Sequence, residues 1–450
     1  QAYEWVDGTA FVYEAKWHEK CSGATCNNAC VRQVSSTHDW KPGQWDDWNC
    51  DDNSKFICSY TLPPPPPPSP TLPPASPPYT FVSTASLKKA VQEFDADADS
   101  AIATYGPIAD WDVSAISDMS GLYSGLENFN ADVSNWNTSG VTDMRFMFGG
   151  SDTGDGATAF NQPLSFDTSS VTNMCGMFSG AAAFNQPLHF DTSSVITMRC
   201  MFDGAWAFNQ LLSVGMSNAP GALNSTVRRR ALSSTGAGGH FATSNVIDMG
   251  AMFRGAVAFN QPLRFNTSKV NDMSSMFRGA TAFDQPLSFN THKVNDMSGM
   301  FNGATAFDQP LTFNTHKVNN MSGMFRGATA FDQPLSFDTS IVTDMRGMFQ
   351  DAIAFNQLLS VLASARRVLL SAAPFDTSNV NNMADMFNGA AAFDQPLSFN
   401  TSNVNTMSGM FRDATAFDQP LDFETSSVTD MANMFNGAST FNQLLTFDTS

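Results

Sequence analysis

Met273-Ser-Ser-Met276-Phe277, Met297-Ser-Gly-Met300-Phe301, Met321-Ser-Gly-Met324-Phe325, Met345-Arg-Gly-Met348-Phe349: one phrase returns every 24 residues here and recurs twelve times between Met119 and Phe435. A fixed period that short marks a repeat architecture in which no unit can bury its own apolar face. Stability must come from stacking each coil on its neighbours.

Within one unit, Leu287 and Phe289 flank a polar residue, the alternation of a short strand. Met297, Met300 and Phe301 follow the i, i+3, i+4 spacing of a helical turn. The expected coil is therefore strand, turn, helical turn, with Gly303 closing it where a positive φ is cheap and Pro286 just ahead of the strand, where a missing N–H is tolerated. At about 4.8 Å per coil, twelve such units would extend somewhat under about 60 Å. The Phe and Met columns read as core, with methionine adapting slightly unequal coils to each other. The Asn/Asp column (Asn185, Asn260, Asp284, Asp308, Asp332, Asp394, Asp418) and the Thr column (Thr192, Thr267, Thr291, Thr315, Thr339, Thr377, Thr401) suit the satisfaction of turn backbone groups. Two other roles stay open: Ca²⁺ gathered by the carboxylate row, and ice bound by the flat threonine row.

The array resembles the BspA-like, leucine-rich-repeat-related surface-protein repeats of about 24–26 residues. The Phe-(Asn/Asp)-Gln-Pro-Leu, Asp-Thr-Ser-x-Val-Thr-Asp-Met and Met-Phe-x-Gly-Ala phrases carry the match over roughly residues 80–450. The expected fold class is mainly β with short helical turns: a right-handed, LRR-like parallel solenoid of about twelve 24-residue coils. The resemblance implies an exposed array used for adhesion or scaffolding, with no common catalytic residues, although fold alone does not dictate function.

Forty-two acids against 23 bases give a formal charge of −19, which repels nucleic acid and anionic membrane and favours cations or basic partners. With 42% apolar and 14% charged residues the chain has material for a sizeable core. No apolar run reaches about 18 residues, the nearest being interrupted by Arg366-Arg367, so no membrane span is expected.

Four segments follow from composition: residues 1–60, a Cys- and Trp-rich module; 61–79, a polyproline linker; 80–110, a capping helix and its lead-out, with Ser83 and Ser86 as N-cap candidates ahead of Leu87, Ala90, Val91 and Phe94; and 111–450, the repeats. In polyproline II, Pro63 to Pro78 would span roughly 50 Å. The tract resembles plant and algal wall proteins, and its Pro64, Pro65, Ser69 and Ser76 are candidates for hydroxylation and glycosylation. Five of seven cysteines, Cys21, Cys26, Cys30, Cys50 and Cys58, crowd the first 58 residues, the density of a disulfide-stapled extracellular module. In that compartment the accessible sequon is Asn224. Gln1-Ala-Tyr-Glu-Trp5 has no signal-peptide pattern and Phe447-Asp-Thr-Ser450 stops inside a repeat, so both ends read as cuts in a longer precursor.

The first 58 residues, with Trp5-Val-Asp7-Gly8, Trp17, Cys30, Trp45-Asp46-Asp47-Trp48-Asn49-Cys50 and Phe56-Ile57-Cys58, resemble the carboxy-terminal half of a C-type lectin domain. The resemblance implies a Cys30–Cys50 pair and leaves Cys58 to a cysteine upstream; Cys21 could join Cys26 in a local loop. It also implies calcium ligands at Asp46 and Asp47, while the family's other ligand triplet is replaced by Cys21-Ser-Gly-Ala-Thr-Cys26. Calcium-dependent sugar binding and a structural, lectin-like fold both stay open.

Inserts break the period after Phe148, Leu212 and Leu359; the last two carry Arg228-Arg229-Arg230 and Arg366-Arg367 and leave the coil at one point. Two basic loops on one side would suit docking onto acidic columns of a second copy, against the plainer reading of solvated loops and, for Arg228–Arg230, a processing site. Cys175 and Cys200 lie on adjacent coils, a cross-coil disulfide if their Cα atoms fall within about 7 Å. No Gly-x-Ser-x-Gly, His-Glu-x-x-His or phosphate loop is present, so no enzyme is expected; nor is any cofactor, Ca²⁺ aside. The expected function is that of an extracellular structural glycoprotein of a wall, sheath, scale or flagellar hair, self-associating or joined to other surface glycoproteins. The rival is a calcium-dependent carbohydrate-binding adhesin with the repeats as its stalk.

Overall fold

The computed structural model describes residues 78–150, 156–212, 241–359 and 375–447, and the backbone of four two-residue strands near the amino terminus. The chain divides into two compact units, 1–75 and 76–450. In the first, β1 (Tyr3–Glu4) pairs antiparallel with β2 (Ala10–Phe11), and β3 (Asn49–Cys50) with β4 (Ser54–Lys55).

The second unit opens with α1 (Thr84–Ala96) and α2 (Ala98–Tyr105). Ser83 caps α1, its hydroxyl accepting from the Ser86 N–H at 3.2 Å. Leu87, Ala90 and Val91 are buried in the core that the repeats share. Tyr79, Phe81, Tyr105 and Trp111 form an aromatic cluster at this end, with ring centroids 4.9–5.9 Å apart.

The mainly-β, LRR-like parallel solenoid expected from the sequence is not what forms. Helix makes up 7% and strand 4% of the interpretable part, and no sheet runs through the repeats. Successive coils touch instead through single-residue parallel bridges, Asp272 to Asp296 to Asn320 to Asp344 and onward. Leu287–Phe289, the predicted strand, makes no backbone hydrogen bond to adjacent coils. There Phe289 stacks on Phe265 and Phe313 at 6.3 and 6.4 Å. Rings repeated by stacking report the coil spacing, and that spacing exceeds the 4.7–4.9 Å of paired strands.

The main-chain ladder lies on the predicted helical turn. The N–H groups of Met297, Gly299, Phe301 and Gly303 donate to the carbonyls of Asn320, Ser322, Met324 and Arg326 in the next coil, at 3.2, 2.8, 2.8 and 2.6 Å. The intervening N–H groups close turns within the coil: Met300 to Met297 at 3.2 Å and Asn302 to Gly299 at 3.0 Å. Alternate peptide planes thus stand along the stack and across it. A helix would have bonded within itself and left nothing for the next coil.

This alternation needs left-handed backbone at two places per coil, as at Gly299 (φ 59°) and Gly303 (φ 72°). Where the first place is not glycine, Phe146, Cys200, Ala251, Ser275, Asp385 and Asn433 still adopt φ of 50–58°. L-residues pay about 1–2 kcal/mol for that conformation, so the ladder and core must outweigh it.

Two phenylalanine columns fill the core. Phe277, Phe301 and Phe325 repeat at 5.7 Å, Phe283, Phe307 and Phe331 at 6.0 Å, and within a coil Phe301 meets Phe307 at 4.1 Å. The methionines of the repeated phrase, such as Met297 and Met300, are fully buried beside them. At the first coil Tyr123 takes the phenylalanine place, stacked on Phe129 and Phe148 at 4.3 and 4.8 Å. Its hydroxyl is buried without a hydrogen-bond partner, and burial pushes its pKa well up.

Chemical denaturation should therefore find Phe301→Ala destabilised by about 3–5 kcal/mol and Tyr123→Phe stabilised by about 1 kcal/mol, an orphaned buried hydroxyl having been removed. Gly299→Ala should lose about 1–2 kcal/mol for its left-handed backbone, whereas Ala251→Gly should lose nothing; equal losses at the two sites would contradict the alternating-plane backbone.

Candidate functional site

Each methionine turn is set by the polar residue ahead of it. The Oδ1 atoms of Asp272, Asp296 and Asn320 accept from the N–H two residues on, at 2.8, 2.8 and 3.0 Å. This local bond opens the turn, and the left-handed residue after it presents the following positions outward. Successive turns make one face with two side-chain columns, one after the first methionine of the phrase and one after its phenylalanine.

Arginines occupy these columns, and most are paired. Arg199 reaches Asp272 at 2.9 Å and Asp248 at 3.4 Å. Burial alone lowers the Arg199 pKa, but the two carboxylates outweigh it and hold the guanidinium above its ordinary value. Burial raises Asp248 despite that pairing. Arg254 forms an ion pair with Asp203, Arg145 with Asp143 at 3.5 Å, and Arg412 with Asp413 at 3.5 Å.

Between these paired stretches the face opens into a groove of about 470 Å³. Arg278, Arg326 and Arg346 line it with Ser275, Ser298, Ser322, Asn302 and Gln350; Gly299, Gly323 and Gly347 complete the lining, and Asp385 contributes a carboxylate. None of the three arginines has an ion pair among the described residues, and all are exposed. The sequence reading missed this groove, because the arginines stand in different coils and their lack of partners is invisible in any one repeat.

Cys175 and Cys200 are separate thiols, half-buried on the same face. Burial, then Asp248, raises the Cys175 pKa; burial, then Asp203, pushes Cys200 up to about 11. Thiolate character is accordingly low at neutral pH.

The two predicted polar columns join coils rather than closing turns within one. Oδ1 of Asp308 accepts both the Asp332 N–H and the Gln333 side-chain amide, each at 2.9 Å. Asp284, Asp332, Asp394 and Asp418 repeat the clamp with the coil after each. The buried hydroxyls of Thr267, Thr291 and Thr315 donate to the next coil's carbonyls at 2.9–3.0 Å. His292 and His316 each lie against an asparagine of their own coil at 2.5 Å. Among the described residues no group of three His, Cys, Asp or Glu could hold a metal, and no helix is long and apolar enough to cross a membrane.

Asp46, Asp47, Cys21, Cys26, Cys30, Cys58, Pro64, Pro65, Ser69, Ser76, Asn224, Arg228, Arg229, Arg230, Arg366 and Arg367 lie outside the described residues. Cys50 falls in β3, where only the backbone is described.

The repeat pattern has a counterpart among known families. Residues 85–215, 223–312, 311–366 and 361–450 match the family described as "Mycoplasma protein of unknown function, DUF285". The chain belongs to that family. Its DUF285 repeats are compatible with the BspA-like resemblance, and the match does not extend to the lectin-like segment. No curated protein and no solved structure matches the chain.

If the carboxylate column holds coils together rather than metal, Asp308→Ala should cost about 1–2 kcal/mol by stranding two donors. Asp308→Asn, which keeps the accepting oxygen as Asn185 does naturally, should stay within about 0.5 kcal/mol. Urea titrations with and without Ca²⁺ check this; an Asn variant as damaged as the Ala variant would contradict the clamp.

Proposed function

We propose that this chain is a non-enzymatic structural component of an extracellular surface assembly, in which the repeats set spacing and an amino-terminal lectin-like module and polyproline segment link it to neighbours. One observation carries the reading: the side chains that recur in every coil hold coils together. Phe301 and Phe307 stack, Asp308 clamps, Thr315 donates onward. Such an array is extended and cooperative, and it presents long faces to a partner.

The crowded amino-terminal cysteines and the Ser-Pro and Pro-Pro runs support an oxidising exterior and a glycoprotein. The BspA-like resemblance supports a place at the cell surface, in a wall, sheath, scale or flagellar hair, with further copies or other surface glycoproteins as partners. Trp45-Asp46-Asp47 favours the second reading, a calcium-dependent carbohydrate-binding adhesin with the repeats as its stalk.

Electron microscopy of native surface material labelled with an antibody to the repeats distinguishes the two. Periodic label along filaments or sheets is the expected result. Label confined to soluble material, together with glycan-array binding abolished by chelation and by Asp46→Ala with Asp47→Ala, would replace the structural reading with the adhesin.

A further inference from the structure

Seven arginines stand on the methionine-turn face, and the carboxylates that neutralise four of them leave three untouched. The difference is one of columns. Arg199 finds Asp248 and Asp272 on the two coils after it, whereas Arg346, in the same column, is followed by Asn382 and Thr406. Arg254 finds Asp203 on the coil before it. Arg278 follows Arg254 and precedes Asn302, and Arg326 stands between Asn302 and Gln350. The three arginines without carboxylates are the three that line the groove.

We infer that this groove binds a short acidic oligosaccharide, one bearing carboxylate or sulfate groups along a hydroxyl-rich chain. Guanidinium forks match the planar pair of oxygens on either group. Ser298, Ser322 and Asn302, between and beside the arginines, supply the neutral donors and acceptors that sugar hydroxyls require. Three features turn other polyanions away. No apolar side chain lines the groove, so a peptide finds no anchoring pocket. The N–H groups of Gly299, Gly323 and Gly347 already donate to the next coil at 2.8 Å, so no strand can add to the floor. No aromatic ring lines it for a base to stack on, and the net charge of −19 repels a polymer as densely charged as nucleic acid. The inference stands apart from the surface-assembly reading and from the calcium-dependent adhesin: it places sugar binding on the repeats and needs no metal.

Isothermal titration of the full chain in EDTA tests it, with a hexameric oligouronate, a heparin-derived hexasaccharide and neutral maltohexaose as probes. At least one charged hexasaccharide should bind ten times or more tightly than the neutral one, and which of them binds separates carboxylate from sulfate recognition. Combining Arg278→Gln, Arg326→Gln and Arg346→Gln should weaken binding tenfold or more, while Arg264→Gln, outside the groove, leaves it unchanged. The three side chains are exposed and unpaired, so the unfolding midpoint should hold; if the triple variant nonetheless unfolds, Arg326→Lys, which keeps the charge but not the fork, should weaken binding about threefold. Overturning results are equal affinity for charged and neutral sugars, triple-variant affinity within twofold of the parent, a requirement for Ca²⁺, or a poly-glutamate peptide or single-stranded oligonucleotide binding as tightly.

Discussion

The structure depends on peptide planes turned to lie along the stack. In each coil four N–H groups, such as those of Met297, Gly299, Phe301 and Gly303, face forward, and the carbonyls of the same peptide units accept from the coil behind. Hydrogen bonds linked head to tail polarise one another, and their aligned dipoles add as they do in a helix. A few columns oppose them: the Asn295 N–H donates backward to Asn271, and the Ala306 N–H backward to Thr281. The methionine side is therefore the most strongly bonded and directional part of the coil, and the Leu-x-Phe side is held by ring packing alone.

That constraint explains the allocation of side chains. The turn leaves little volume inside, which methionine and alanine fill without rigid shape demands, while the stacked rings opposite set the coil spacing. The Asn/Asp clamp and the threonine column bond adjacent coils around the remaining perimeter, so every side of a coil meets its neighbour by a different interaction. A face is free to vary only where the chain points outward from the ladder, which is where the arginines, small residues and half-buried thiols collect.

The groove follows from that freedom. Its lining is polar because the apolar positions of the phrase are committed to the core, and its charge is uncompensated because Asn382 and Thr406 stand where Asp248 and Asp272 stand for Arg199. A local positive surface on a chain of formal charge −19 requires that absence of acids more than it requires extra bases.

The sequence by itself determined that coils stack, which residues form the core and where one coil ends, because a 24-residue period places identical apolar residues at identical heights. The column of Asn and Asp was also legible, though not its reach into the next coil. The backbone was misread: Leu287-Ser-Phe289 has strand alternation and Met297, Met300, Phe301 have helical spacing, yet both patterns state only which residues face inward. What they bond to depends on the distance to the adjacent coil, 6.3–6.4 Å between the Phe289 rings and their neighbours, and on a left-handed residue that is as often Phe146, Cys200 or Ala251 as glycine. Tertiary structure alone decided which arginines were neutralised, since Arg199 and Asp272 lie 73 residues apart and meet only because intervening coils stack.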